Sequence, residues 1–300
     1  KKIFSQSLFS ISNIKKTVRN MINEKIDNFL NAPLDSISFG EISKSKINDD
    51  TFIYWGDDSV GKLKKGKSIY TPIADALNSE YLSSENKLLI SAKLQKWLQN
   101  EINETLYPLN INLDESINSE IRAIAFNCIE NFGNYPVEKF RDTLKKISQE
   151  SKLQLSKLGI RVGAKYFYIP SLLKKKPLEF CAILWKTFYE KDIDNFLPLP
   201  QNGRVSFMSE IKVPNHYWQS IGYINIKNFS FRIDVFEKIF FLARQKIKKG
   251  PFLESSDLMN PIGCNSDQLK DIMKFCGYDY VTISDQKKLF FLSNKKKETK

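Results

Sequence analysis

Histidine is almost missing from this chain: His216 is the one copy in 300 residues. Its scarcity excludes His-based metal clusters and most Ser-His-Asp chemistry. The single copy lies in Pro214-Asn215-His216-Tyr217-Trp218, which reads as an aromatic packing corner rather than a catalytic one. Cysteine is thin as well. Cys128, Cys181, Cys264 and Cys276 stand far apart with no CxxC pair, so they are expected as reduced core thiols rather than disulfides or a zinc site. No apolar run reaches membrane-spanning length, and the first residues, Lys1-Lys2-Ile3, carry no signal-peptide pattern. The expectation is a soluble, cytoplasmic chain, with a fragment of something longer as one option. Aspartate and glutamate are scattered, and no pair stands out as a general acid and base. No catalytic, metal or cofactor site is expected in these residues.

One stretch imitates a nucleotide site. Gly56-Asp57-Asp58-Ser59-Val60-Gly61-Lys62 fits the first seven positions of a Walker A loop after an expected strand. The eighth is Leu63, so the hydroxyl that holds Mg²⁺ is missing. Asp57 and Asp58 put negative charge where backbone N–H groups should cradle phosphate. ATP binding is not expected here.

What is present is a globular composition, 42% hydrophobic and 13% aromatic, on a chain long enough for two or three cores. The net charge of +12 suits a polyanionic partner, although a Lys-, Asn- and Ile-rich composition of AT-rich origin also supplies lysine. The clustering says more: Lys62, Lys64, Lys65 and Lys67; Lys174, Lys175 and Lys176; Lys246, Lys248 and Lys249; Lys295, Lys296 and Lys297.

The expected fold class is α+β, mainly helical, with a small β-rich N-terminal segment, a central helical bundle and a C-terminal winged-helix-like module. Residues 1–75 begin with an amphipathic helix through Val18, Ile22, Ile26 and Leu30. A turn-rich β segment follows, with Phe52–Trp55 as a strand and Gly56, Gly61 and Gly66 marking turns. Residues 76–195 read as a bundle of three helical faces. Ser84 caps the first, with Leu94, Leu98, Ile102 and Leu106. Asp114 caps the second, with Ile121, Ile124, Cys128 and Ile129. Pro136 opens the third, with Val137, Phe140, Leu144, Ile147 and Leu158 up to Gly159. A strand-like stretch, 159–170, and a helix over 177–189 follow. Residues 196–230 read as irregular linker around Leu197-Pro198-Leu199-Pro200.

Residues 231–293 carry the clearest pattern. Phe236, Ile239, Phe240, Ala243 and Ile247 share one helical face. A short segment, 256–262, ends at Gly263-Cys264. A third, with Ser266 as N-cap, runs through Leu269, Ile272, Met273 and Cys276 to Gly277. Two β runs, 278–283 and 289–292, are joined by a polar turn. Helices with a tight turn followed by a hairpin are how a helix-turn-helix with a wing is built. Residues 294–300 read as a disordered basic tail.

Basic groups interleaved with rings point to nucleic acid. The candidates are Arg161, Lys165, Tyr166 and Tyr168 in the aromatic strand, Lys174 and Arg204 in flanking loops, and Lys270, Lys274, Lys287 and Lys288 in the winged segment. An alternative holds equal weight for the strand: alternation buries Tyr166 and Tyr168 in a sheet while the charges are merely solvated. Asp267 and Asp271 weaken insertion of the third helix into a groove, which favours the wing tip.

The order of several short blocks resembles a known family. These are Trp55-Gly56-Asp57, Ala123 with Ala125-Phe126, Gly159-Ile160-Arg161-Val162-Gly163, Tyr168-Ile169-Pro170, Leu184-Trp185, Gly203-Arg204-Val205-Ser206, Gly222-Tyr223, Phe231–Glu237, and Leu258-Met259 with Gly263-Cys264. Together they resemble the C-terminal half of alphaproteobacterial superfamily-two helicases related to the mitochondrial ATP-dependent RNA helicase, over most of residues 15–283. Lys175-Lys176 departs from that family, in which a lysine usually precedes the proline directly. The resemblance implies an accessory nucleic-acid-binding region of an ATP-dependent helicase, with RNA or single-stranded DNA as partner. ATP and Mg²⁺ then belong only to an upstream motor of the same parent chain, since no complete Walker A, DExH-type box or arginine finger is found in these residues. The alternative is a protein-docking module of an RNA-processing complex.

Overall fold

A computed structural model describes residues 2–40, 51–189, 197–283 and 287–293, with side chains described from residue 16 onward except at residue 202. The protein is mixed α+β, about 51% helical and 19% strand, with small antiparallel sheets. It divides into two compact units: one within Lys1–Thr105 and Ile183–Phe196, the other within Leu106–Ala182 and Leu197–Lys300.

In the first unit, helix α1 (Lys2–Asn31) precedes strands β1 (Ile37–Phe39), β2 (Phe52–Trp55), β3 (Asp58–Lys64) and β4 (Ile73–Ala76), and helix α2 (Ser84–Thr105) follows. The strands form one antiparallel sheet in sequence order. α2 buries Ile90, Leu94, Trp97 and Leu98, residues that recur every three or four positions. It also finishes the β4 edge, which would otherwise expose unpaired amides. The Ala74 N–H donates to Gln95 Oε1 at 2.9 Å, and the Ala76 N–H to Ser91 Oγ at 3.0 Å. The last turn of α1 has no basic residue, and Lys93 of α2 supplies one: its Nζ donates to the carbonyls of Phe29, Leu30 and Ala32.

Two expectations for this unit change. Ser83, not Ser84, caps α2 by accepting from the Asn86 N–H at 3.1 Å. Gly61 marks no turn but lies inside β3, where a Cβ would stand 2.3 Å from Leu94 Cδ1 and 2.8 Å from the Asp75 carbonyl oxygen. Close approach of α2 requires glycine there. The Walker-like stretch is accordingly a hairpin. Gly56, at φ +60°, and Asp57 turn β2 into β3, and Asp58 pairs with Lys25 at 2.6 Å. Strand β3 follows the turn, where a P-loop would place a helix N-terminus to receive phosphate.

The second unit begins with α3 (Ser119–Glu130), β5 (Asn134–Pro136), α4 (Arg141–Lys146), α5 (Gln149–Lys157), β6 (Arg161–Val162), β7 (Tyr166–Tyr168) and α6 (Lys175–Phe188), whose residues are shared between the two units. The three faces expected as one bundle are thus divided, with α2 on the β1–β4 sheet and α3 beside α5. Asn118 caps α3 by accepting from the Glu120 N–H at 2.8 Å. Asp114 instead holds a local turn, accepting from the Ser116 N–H at 2.9 Å. The single helix expected after Pro136 is a 3-10 turn followed by α4 and α5. The chain turns extended at Ile147, ψ 145°, and Ser148 then caps α5. Lys175 and Lys176 form the first turn of α6, which starts before the expected Pro177.

Residues 197–230, expected as irregular linker, contribute regular elements. β8 (Ser206–Met208), α7 (Asn215–Ser220), β9 (Tyr223–Ile226) and β10 (Phe229–Arg232) make a sheet in the order β8-β10-β9. Tyr217 and Trp218 of α7 are buried with rings 5.4 Å apart, while the neighbouring His216 is exposed. Then come α8 (Ile233–Ile247), β11 (Phe252–Leu253), α9 (Ser256–Met259), α10 (Ser266–Cys276), β12 (Tyr278–Thr282) and β13 (Lys288–Leu292), with sheet order β11-β13-β12. The element order and the sheet are those of a winged helix, including a strand between its first two helices that the sequence pattern does not reveal. Asn265 rather than Ser266 is the cap of α10. Its side chain accepts from the Gln268 N–H, and Gln268 returns the bond, a capping box. Gly277, at φ +93°, ends α10.

The winged-helix core is continuous with the sheet before it. Ile224, Phe229 and Phe231 pack in the same cluster as Phe236, Phe240, Leu269, Ile272, Met273 and Phe290. The Ser206 hydroxyl also donates to the Ile262 carbonyl. A boundary at residue 230 would therefore cut through packed side chains. The expected tail, 294–300, lies outside the described residues. Among the described residues no helix is long and apolar enough to cross a membrane.

Candidate nucleic-acid interface

α10 turns Leu269, Ile272, Met273 and Cys276 inward, which leaves Asp267, Lys270, Asp271, Lys274 and Phe275 toward its outer side. Lys270 and Lys274 hold their ammonium groups 5.9 and 5.1 Å from the ring centre of Tyr280 in β12. An aromatic face thus organises two cations across the helix and the wing.

The carboxylates that weakened this face in the sequence are paired. Asp267 accepts from Lys270 at 3.1 Å and lies 3.3 Å from Lys288. Those two ammonium groups, Lys270 first, hold its carboxyl below the ordinary range. Asp271 pairs at 2.6 Å with Lys227, which stands in the β9–β10 turn at φ +58°. Their repulsion toward phosphate is correspondingly reduced.

Lys288 is not a wing-tip contact. It is buried at the start of β13, where its Nζ donates to Ser266 Oγ at 2.5 Å and faces Asp267. It ties the wing to the α10 N-terminus. Lys287 is exposed beside it, and its carbonyl accepts from the Ile283 N–H to close the hairpin. Residues 284–286 of the wing turn lie outside the described residues.

The aromatic strand is a hairpin, β6–β7, clamped from α8. Glu237 is buried, and its carboxylate accepts from the N–H groups of Ala164 at 2.6 Å, Lys165 at 2.9 Å and Tyr166 at 2.8 Å. Burial pushes its pKa up, and the three amide donors pull the other way. Gly163 leaves the room: a Cβ there would stand 2.3 Å from Glu237 Cδ.

The clamp decides which side chains of the hairpin are available. Tyr166 packs edge-on against Phe236 at 6.3 Å, and burial raises its phenol pKa. Tyr168 also lies against the winged-helix core. Both rings are half-buried and packed against the winged-helix core, while Phe167 between them is fully buried on the other face of the hairpin. Lys165 projects over Phe240 and Phe275, 5.6 and 6.0 Å from their ring centres. Arg161 is exposed on β6. Lys174 and Arg204 are exposed on loops outside the winged helix, before α6 and before β8.

The structure therefore brings Lys165, Lys270 and Lys274 onto α10 and its neighbours. It also adds groups that the residue pattern did not single out: Lys227, Glu237, Arg141 and Arg244. Glu237 had a legible signal, since a glutamate between Phe236 and Phe240 on an apolar helical face needs buried donors. Among the described residues no group of His, Cys, Asp and Glu is placed to hold a metal ion. No family model, curated protein or solved structure matches the chain.

Proposed function

We propose that this chain is an accessory nucleic-acid-binding region, in which the winged helix and the clamped hairpin hold a single strand by backbone charge. The observation that supports this most is the outer side of α10, where Lys270 and Lys274 sit over Tyr280 while Asp267 and Asp271 are each paired with lysines. The net charge of +12 favours the same class of partner. In this reading a helicase motor elsewhere in a parent chain supplies ATP chemistry, and these residues supply grip. A second reading, a protein-docking module, draws on the edge strand β12 and its surroundings, where Val281, Ile283 and Leu292 are exposed.

The two separate in one measurement. Fluorescence anisotropy with a labelled single strand is expected to show binding at low salt, weakening linearly in log–log with added salt. Lys274→Glu with Lys270→Glu should reduce affinity at least tenfold and flatten the salt slope by ~0.7 for each phosphate no longer neutralised. A wild-type chain with no affinity even at low salt, or a double variant with unchanged affinity and slope, refutes the strand reading and leaves the docking one.

A further inference from the structure

We propose that a cleft of about 390 Å³ between α4, the β6–β7 hairpin and α8 binds one phosphate group, held by Arg141, Lys165 and Arg244. The three basic residues come from three separate elements and line one concavity. Among the described residues no carboxylate lines it; the remaining wall is apolar, from Val137, Leu144, Phe240 and Cys276. Three like charges around one small volume repel one another unless an anion joins them.

The carboxylates nearby do not fill that role. Glu138 lies 3.7 Å from Arg141, but both side chains are largely exposed, and such a pair contributes little. The Glu237 carboxylate attracts Lys165 and is already occupied by the amides of residues 164–166. Its effect is to fix the backbone that carries Lys165, whose ammonium group is then steadied by the Phe240 and Phe275 rings. The cleft is thus partly organised before a ligand arrives, which lowers the ordering cost of binding. Two guanidinium groups and an ammonium suit a tetrahedral oxyanion. The apolar wall suits a phosphate borne on a flat or greasy body, as in a nucleotide unit, better than a free ion.

The ligand class extends the strand reading, but the first arm of the test does not depend on it. Lysine acylation of the full 300-residue chain, read by mass spectrometry, is performed with pyrophosphate and with sodium chloride of equal ionic strength. Lys165 should be protected by pyrophosphate alone, while the exposed Lys145 and Lys249 respond equally to both. Equal labelling of Lys165 in the two salts overturns the cleft. The second arm titrates a six-nucleotide single strand against Arg141→Gln, Lys165→Met, Arg244→Gln and the triple variant. Each single change should weaken binding about tenfold. The triple variant should flatten the salt slope by only ~0.7, because one phosphate is released however many cations held it. A slope change that grows with each substitution indicates a diffuse basic patch and refutes a discrete site. Protection by pyrophosphate without strand binding keeps the cleft and removes the strand reading. Strand binding that is indifferent to all four variants does the reverse. The arginines are exposed, so Arg141→Gln and Arg244→Gln should keep the wild-type melting curve, and the same curve checks folding of Lys165→Met and of the triple variant.

Discussion

Phe236→Ala is expected to destabilise the second unit by about 3 to 5 kcal/mol, the loss typical of a large ring removed from a closed core. Phe236 is fully buried and central to a chain of rings. It stacks on Phe240 at 6.0 Å and 8°, meets Phe275 and Tyr166 edge-on at 5.8 and 6.3 Å, and lies 5.9 Å from Phe231. Those neighbours come from α8, α10, β7 and β10, so collapse around the void would have to move four elements together. Rigid packing of that kind relaxes poorly, which places the variant toward the upper end of the range. In a unit of this size the midpoint of thermal unfolding should fall by roughly 10 °C. Phe236→Leu, which keeps much of the volume, should lose markedly less. Urea titrations of the three proteins test the assignment, and an alanine variant within about 1 kcal/mol of wild type would show that the module is not built around this ring.

Glu237→Ala should come close in size, through different physics. The variant leaves the N–H groups of Ala164, Lys165 and Tyr166 without their acceptor. At ~1–3 kcal/mol for each unsatisfied buried donor, less where water enters, the expected loss is about 3 kcal/mol or more. Glu237→Gln keeps an acceptor oxygen but turns an NH₂ group toward the remaining amides, so it should fall between alanine and wild type. Amide hydrogen exchange separates this local effect from a global one. Residues 164–166 should lose protection in the alanine variant well before the α10 core does. Protection that falls equally across the unit, or not at all, contradicts the clamp. Because the clamp positions Lys165, loss of Glu237 should also weaken phosphate protection of that lysine.

The contrast between α8 and the segment before it explains what could be read from residues alone. α8 and α10 repeat apolar side chains every three or four positions over several turns, and Gly277 supplies a stop, so their existence and type are legible. β11 has only two residues, and no period can be read from two. β10 is hard to read for another reason. Phe229-Ser230-Phe231-Arg232 does alternate, but four residues are at the lower limit for reading a strand period. The alternation also misstates the environment, since Ser230 is fully buried and its hydroxyl accepts from Asn225 Nδ2 at 2.8 Å. The break at Ile147 leaves no glycine or proline behind, and only Ser148, capping α5, marks it.

The candidate site was half visible for a similar reason. Residue type identifies lysines and rings, whereas pairing decides what they do. Lys288 and Lys287 are adjacent and alike in sequence, yet one is buried against Ser266 and Asp267 and the other is exposed. Arg141 and Arg244 lie 103 positions apart by number, 244 − 141, and only folding brings them to one cleft.

Cys128, Cys181, Cys264 and Cys276 are all buried, and all belong to the second unit. Burial pushes the Cys128 thiol up to about 12 and the Cys264 thiol to about 11, and it raises the other two as well. A thiol that stays protonated and enclosed is a poor nucleophile. An alkylating reagent therefore works as a one-sided clock: each modified sulfur records an opening of the half that carries the wing, while excursions of α1, α2 and the β1–β4 sheet pass without leaving a mark.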